Sequence, residues 1–288
     1  MHSESSRDFL RFQDLDGDTI LSIVDRAQAL ATAWDGRAMP QSLAGKRVAV
    51  IADDSGWRNT TAFDLGVRAM GGISVQPPIR FNVHETTPDL AKYLDNWFDI
   101  LVVRTRELST LHELASSATA PVVNARTQSN HPCETLGDLA YVKSRRGSLE
   151  GLRVAGVAPD ANILRSWVEA SIALPIKVAQ AYPVVWHVRD IASPGFTAST
   201  DLEAVYDADV IITDCWPAGA QHDQLARYRI SAALLDRCRT DAIFLPCPPV
   251  TRGQEVTADA MGHATCQSTA AKAYLLHAQN ALLEWIAA

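Results

Sequence analysis

The sequence contains no Cys-x-x-Cys pair: its five cysteines, Cys133, Cys215, Cys238, Cys247 and Cys266, are odd in number and scattered. That pattern argues against a disulfide framework or a thiolate zinc site and fits the reduced thiols of a cytoplasmic protein. There is no excess of positive charge either. A formal net charge of −7 argues against a dedicated nucleic-acid partner, which needs a basic field. No apolar run approaches the roughly eighteen residues of a membrane span. The opening MHSESSRDF has no apolar core of the kind a signal peptide carries. No Gly-x-Gly-x-x-Gly follows a strand pattern, which counts against a dinucleotide-binding dehydrogenase. No short-period repeat is visible.

What is present is an ordinary globular composition, 47% hydrophobic and 20% charged over 288 residues. That length accommodates two α/β domains of roughly 130–150 residues each. The most informative stretch is Val48–Gly72. The apolar run Val48-Ala49-Val50-Ile51 suits a buried parallel strand. A loop with Asp53, Asp54, Ser55 and Gly56 follows, then a helical pattern with Phe63, Val67 and Met70 on one face, closed by Gly71-Gly72. The free N–H groups and dipole at such a helix start favour an anion. Arg58 stands there, with Asn59, Thr60 and Thr61 as further donors, and an arginine can grip a phosphate with two hydrogen bonds. The same pattern also fits a plain βα turn with a solvated arginine.

Taken in order, residues 18–34 read as a helix capped by Asp16 or Asp18. Ser74–Pro78 reads as a short strand, and Ile79–Thr87 as a polar loop carrying His84 and Glu85. Thr87-Pro88 reads as a cap followed by proline at the first helical position. Ile100–Val103 is a strand ending in Arg104, and Pro121-Val122-Val123 is another. A second α/β block begins near Gly147 with a strand over Gly151–Val157. Asn162–Gln180 reads as a helix kinked or broken at Pro175. Val184–Val188, Val210–Thr213 and Ile243–Leu245 are further apolar runs, with a helical pattern over Gln224–Cys238. Ser268–Ile286 is a long amphipathic helix. Alternation of this kind implies two parallel sheets, each doubly wound with helices on both faces.

In such sheets ligands bind beyond the C-terminal strand ends. The polar residues expected there are Arg58, Arg104, His131, Asn162, Asp214, Cys247 and Arg252. Each also has a bland account. Arg104 fits a surface charge, His131 a packed turn histidine, Asp214 a helix cap, and Cys247 a small buried hydrophobe.

At this point the chain resembles the aspartate/ornithine carbamoyltransferases, the ornithine branch more closely. FLRFQDLDGDTILSIVDRA is similar to the family's opening helix. His131-Pro132-Cys133-Glu134 resembles its His-Pro-x-Gln. Thr213-Asp214-Cys215-Trp216 is similar to Thr-Asp-Val-Trp. Cys247-Pro248-Pro249 with Arg252-Gly253-Gln254-Glu255-Val256 resembles Cys-Leu-Pro and its Arg-Gly-x-Glu-Val sequel. His277-Ala278-Gln279 recurs in the final helix.

The resemblance implies transfer of a carbamoyl group from carbamoyl phosphate to the amine of an amino-acid-like acceptor, without cofactor or metal. It implies a carbamoyl-phosphate-binding domain over 1–137, completed by a helix over 267–288 folding back on it, and an acceptor-binding domain over 138–266. It assigns Gly56, Trp57, Arg58, Asn59, Thr60, Arg104, His131 and Glu134 to carbamoyl phosphate, with Arg58, Arg104 and His131 catalytic. It assigns Asn162, Asp214, Cys247, Pro248 and Arg252 to the acceptor. It further implies a homotrimer with shared sites, the neighbouring subunit supplying the loop with His84 and Glu85. The departures are concentrated at the phosphate loop. The family's Ser-Thr-Arg-Thr-Arg is here Gly56-Trp57-Arg58-Asn59-Thr60, which keeps only the central arginine. A lost charged hydrogen bond costs about 1.5–3 kcal/mol, roughly ten- to a hundred-fold in affinity. Glu134 replaces the glutamine, Pro246 a histidine and Leu275 an arginine. Pro217-Ala218-Gly219 stands where the ornithine branch has Ser-Met-Gly. The expectation is therefore an acceptor other than ornithine, or else a protein of this fold that binds a small anion or amino acid without turnover.

Overall fold

The structure is a computed structural model that describes residues 7–53, 56–81 and 83–288. The chain divides into two compact units. One comprises the residues up to Tyr141 together with Lys272–Ala288, the other Val142–Ala271.

In the first unit the elements run α1 (Gly17–Asp35), β1 (Arg47–Ala52), α2 (Trp57–Ala69), β2 (Ile73–Val75), α3 (Thr87–Asp95), β3 (Ile100–Arg104), α4 (Leu108–Ser117), β4 (Val122–Arg126) and α5 (Pro132–Arg146). The sheet is parallel, in the order β2-β1-β3-β4. The order reverses between β1 and β3, the kind of switch point at which ligands bind in open α/β sheets. Strand residues alternate between faces. Ala49, Ile51, Leu101 and Val103 pack with Leu90, Leu94, Leu111 and Leu114 of α3 and α4. Asp16, rather than Asp18, caps α1 by accepting the Thr19 N–H at 2.7 Å.

α10 (Ser268–Ala287) returns to this unit. Arg26 of α1 pairs with its Glu284, and Trp34 meets its His277 edge to face. A Cβ on Gly137 of α5 would lie 3.0 Å from the Leu275 Cα, and one on Gly66 of α2 would overlap the Asn280 amide. α5 and α10 thus touch along a seam that only a hydrogen side chain at 137 permits.

The second unit runs β5 (Arg153–Val157), α6 (Asn162–Ala173), β6 (Lys177–Ala181), β7 (Phe196–Ser199), α7 (Glu203–Tyr206), β8 (Val210–Thr213), α8 (His222–Leu225), α9 (Ala232–Leu235) and β9 (Ile243–Pro246). Its sheet is also parallel, in the order β7-β6-β5-β8-β9, with its switch point between β5 and β8. Ala155, Val157, Ile211 and Phe244 pack with Val205, Leu225, Leu235 and Val256. On the other face α6 lies close: a Cβ on Gly156 would meet Leu164 at 2.6 Å. The end of the sheet opposite the candidate residues is tied by buried Asp209. It accepts from Arg146 Nη2 at 2.8 Å and from the Arg153 N–H at 2.9 Å.

Several expected elements differ. Pro175 does not kink a helix. α6 ends at Ala173, and Lys177–Ala181 is strand β6, because a proline inside a helix removes a hydrogen bond and costs about 3 kcal/mol. Val184–Val188 is not a strand. Val184–Trp186 form a 3₁₀ turn with Val184 and Val185 exposed. Gln224–Cys238 is two short helices, separated where Ile230 bridges to Val256. β2 is confined to Ile73–Val75, ahead of Pro77-Pro78. The cap of α3 is Thr86, which accepts the Asp89 N–H, with the proline one position further in. Strand β7 was not visible in the apolar pattern, since Thr197, Ala198 and Ser199 are exposed. Of the loop after β1, Asp54 and Ser55 lie outside the described residues, as does Asn82 in the loop after β2 and the start of MHSESSRDF.

Candidate active site

In the first unit the candidate residues gather where β1, β3 and β4 end. The backbone at Gly56 is the start of α2, and Arg104 closes β3. A Cβ on Gly56 would fall 2.3 Å from Arg104 Nε and 2.7 Å from its Cζ. The guanidinium therefore lies across the bare glycine backbone at the amino end of a 13-residue helix. A fixed cation and a helix start together are what an oxyanion needs. Asp53, at the end of β1, donates its N–H to the Arg104 carbonyl at 3.0 Å. Its carboxylate accepts from Thr105 Oγ1 at 2.6 Å, which turns one of the two expected acidic charges toward a neutral donor.

β4 ends at Arg126 and passes into a turn held by buried amides. Asn124 Nδ2 donates to the Leu10 carbonyl at 2.9 Å and to Asn130 Oδ1 at 2.7 Å. Asn130 Oδ1 also accepts from Thr127 Oγ1 at 2.8 Å. This network fixes His131, whose carbonyl accepts the first helical bonds of α5 from Glu134 and Thr135. His131 is 8% exposed. Burial holds its pKa down to about 4, with Arg104, Lys272 and Arg126 pressing the same way against the opposing pull of Glu134. The imidazole is therefore neutral at pH 7 and can donate one ring N–H without carrying charge. Its Nε2 lies 3.9 Å from Glu134 Oε2.

Glu134 is buried, and its other oxygen Oε1 is in contact with Lys272 Nζ from α10. The same ammonium reaches Asp138 Oδ1 at 3.2 Å. Burial would raise the Glu134 pKa, but Lys272, His131 and Arg104 together bring it below the ordinary value. Asp138 goes the other way, raised to about 6 chiefly by burial and by its neighbour Glu134. Two carboxylates share one lysine, and the proton goes to the one further from the candidate site.

The rest of the phosphate segment is placed differently from the expectation for a multidentate grip. Arg58 and Trp57 are exposed, and the Arg58 guanidinium lies over the Trp57 ring, 4.9 Å from its centroid. Asn59 is buried and donates to the Ala125 carbonyl at 3.3 Å, so it ties α2 to β4. The Thr60 hydroxyl sits 3.4 Å from the Gly56 carbonyl, within its own helix. His84 and Glu85 are exposed.

In the second unit the remaining candidates follow the ends of β5, β8 and β9. Half-buried Asn162 opens α6. Asp160, just before it, is held by Arg165 at 2.9 Å, which also reaches Asp190. Thr213 Oγ1 donates to the Val157 carbonyl at 2.9 Å, locking β8 to β5. Half-buried Asp214 follows, its Oδ1 accepting the Cys215 N–H at 2.7 Å. The Cys247 N–H donates to the Thr213 carbonyl at 3.0 Å, so Asp214 and Cys247 leave adjacent strands side by side. Pro248 is half-buried, and the Pro248–Pro249 peptide is cis. Arg252 is exposed on a loop that closes on itself through its bridge to Val256, with Gly253 at φ +91°. Burial, with help from Glu255 and Asp214, raises the Tyr182 phenol well above its usual range.

Lys272, Asp138 and Thr105 were not among the sequence candidates. Lys272 left a faint signal, for it and Glu284 are the charged residues of an otherwise apolar and neutral α10. Among the described residues no group of three or more His, Cys, Asp or Glu side chains is placed to hold a metal ion. No helix among them is long and apolar enough to cross a membrane.

Two parallel sheets, each with polar residues at its switch point, define a two-unit α/β protein with an anion-binding end on the first unit. Residues 7–144 match the aspartate/ornithine carbamoyltransferase carbamoyl-P binding domain, and residues 150–286 the Asp/Orn binding domain. The chain belongs to the aspartate/ornithine carbamoyltransferase family. It is 32% identical to an ornithine carbamoyltransferase of Nitrobacter winogradskyi, over 98% of both chains. It is 31% identical to one of Cenarchaeum symbiosum, over 96% of this chain and 97% of the other. The fold superposes on the ornithine carbamoyltransferase of Burkholderia thailandensis with a TM-score of 0.91 at 26% identity, covering 97% and 98% of the two chains. On that of Pyrococcus furiosus the TM-score is 0.90 at 26% identity, covering 98% and 97%.

Proposed function

We propose that the protein transfers the carbamoyl group of carbamoyl phosphate to the amine of an amino-acid-like acceptor other than ornithine. The observation that carries this reading is the Arg104 guanidinium lying over Gly56 at the start of α2, with neutral His131 and ionised Glu134 beyond it. In the reaction the amine lone pair attacks the carbonyl carbon, the C–N bond forms, and phosphate leaves with the electron pair of the C–O bond. The amine gives up a proton.

Arg104 with the α2 amino end would meet the phosphate and the growing oxyanion, where preorganised donors lower a barrier most. The His131 N–H would donate to the carbonyl oxygen. Glu134 Oε2, 3.9 Å from His131 Nε2, would accept from the carbamoyl NH2, so that donor and acceptor read the two edges of one amide. Arg58, exposed over Trp57, would turn inward on the phosphate, with Gly56, Trp57, Asn59 and Thr60 framing the loop. In the second unit Asp214 would hold the acceptor's amino group, Asn162 and Arg252 its carboxylate, and Cys247 with Pro248 the wall. We further infer a homotrimer in which His84 and Glu85 serve the neighbouring subunit.

The test is steady-state carbamoyl transfer with a panel of amino-acid amines, alongside titration calorimetry with carbamoyl phosphate. Arg104→Ala is expected to lower kcat/KM by about a hundred-fold or more while the protein melts as before. No binding of carbamoyl phosphate at millimolar concentration by the wild type would refute the reading. A second reading, a binder without turnover, is favoured by one observation: the Thr60 hydroxyl is spent on its own helix where the family carries a second arginine. Tight binding of carbamoyl phosphate with no product from any amine would select it.

A further inference from the structure

A buried lysine from the last helix reaches the candidate site from behind. Lys272 Nζ meets Glu134 Oε1 and Asp138 Oδ1. Glu134 and Asp138 are 7% and 3% exposed, and Lys272 is half-buried. An ammonium has donors only, and a carboxylate acceptors only. Lys272 thus occupies one oxygen of Glu134 and fixes the orientation of the whole group. The second oxygen, Oε2, is left facing His131 Nε2 at 3.9 Å, a separation too long for a hydrogen bond and suited to two groups that meet one ligand side by side.

We propose that Lys272 is a positioning residue for Glu134: it holds that carboxylate as a fixed, acceptor-only partner, and so restricts the transferred group to one that carries an N–H. This rests on the carbamoyl-transfer reading. A glutamine at 134 can rotate its amide and offer either a donor or an acceptor. A carboxylate pinned by an ammonium cannot. A carbamoyl group satisfies it with NH2. An acetyl group of nearly the same shape presents a methyl and leaves a buried charge without a donor, which sites built on hydrogen bonds reject strongly.

The groups facing Glu134 are Lys272 from α10, His131 and Asp138 from α5, and Arg104 from β3, with Arg126 of β4 facing His131. Removing the lysine leaves two buried carboxylates in mutual repulsion. Burial then dominates, and Glu134 takes up a proton in the neutral range.

The experiment measures dissociation constants for carbamoyl phosphate and acetyl phosphate between pH 5.5 and 8.5, by calorimetry, for wild type, Lys272→Met, Lys272→Arg and Glu134→Gln. Wild type is expected to prefer carbamoyl phosphate by about ten-fold or more, with little pH dependence from this group. Lys272→Met is expected to lose most of that preference and to acquire a pH dependence in carbamoyl phosphate binding. Lys272→Arg is expected to restore the preference, and Glu134→Gln to remove the pH dependence when combined with Lys272→Met. That double variant buries no unpaired Glu134 charge and carries the test if Lys272→Met alone does not fold.

A Lys272→Met protein with wild-type preference and pH profile overturns the inference and leaves carbamoyl transfer standing. In the double variant, a pH dependence as large as that of Lys272→Met overturns it equally. A wild type that binds acetyl phosphate as well as carbamoyl phosphate also overturns it. A wild type that binds neither phosphate refutes the underlying reading as well.

Discussion

At residue scale the sharpest feature is the absence of a side chain at Gly56. Any Cβ there would occupy the space of the Arg104 guanidinium. Gly56→Ala is therefore expected to displace a flexible side chain at little cost in stability, yet to lower kcat/KM by about a hundred-fold, comparable to the loss of one oxyanion donor. Parallel thermal melts and steady-state rates check both halves, and a fully active variant would remove Arg104 from the site. The opposite change is expected at Thr60. Thr60→Arg adds a cation near the start of α2 and should tighten carbamoyl phosphate about ten-fold, read by calorimetry. The sequence made Arg104, His131 and Asp214 legible because each follows an apolar strand run, and strand ends are where such sheets bind. It hid Lys272 and Asp138. A charge one turn from apolar neighbours on a helix reads as surface, and only packing between helices distant in sequence makes it internal.

At the scale of elements, the seam between α5 and α10 joins the site to the fold. A methyl at Gly137 would press on the Leu275 backbone at 3.0 Å, where no rotamer can yield. Gly137→Ala is expected to destabilise the first unit by about 1–3 kcal/mol, measured by urea unfolding.

The seam also sets an acid response. His131, held down to about 4 by burial, binds a proton in the unfolded chain before the folded one, so its contribution to stability falls as pH drops from about 6.5 toward 4. Asp138, raised to about 6, binds its proton in the folded state first, so its contribution rises over nearly the same interval. The two oppose each other. Asp138→Asn should unmask the histidine, and its unfolding free energy should fall more steeply than the wild type's between pH 6.5 and 4.5. Equal slopes would contradict that account. Strands β1, β3, β5, β8 and β9 were legible as apolar runs bounded by turn residues. The boundary at Pro175 was not. Ile176–Ala181 is mostly apolar and continues the helical pattern numerically, and its strand character rests on Gln180, whose buried amide binds the Ala158 and Trp186 carbonyls.

At the scale of the whole molecule, assembly is expected to matter to activity. Light scattering should return about three times the 31.3 kDa chain mass. If His84 serves a neighbour, mixing unfolded Arg104→Ala and His84→Ala chains and refolding them together should recover activity that neither shows alone. No recovery would confine each site to one chain.

The first unit is discontinuous, closed only when Lys272–Ala288 joins residues more than a hundred positions earlier. A ribosome therefore delivers the chain in an awkward order: most of one unit, all of the next, and then the helix the first has been waiting for. Until that helix emerges, Gly66, Gly137 and the apolar ridges around them lack their cover, and Glu134 lacks its lysine. The nascent first unit depends on chaperones or on speed over that interval. A premature stop codon anywhere before position 272 would cost the cell the same active centre as a deletion of β3, although the second unit's own residues would have been made almost to their last.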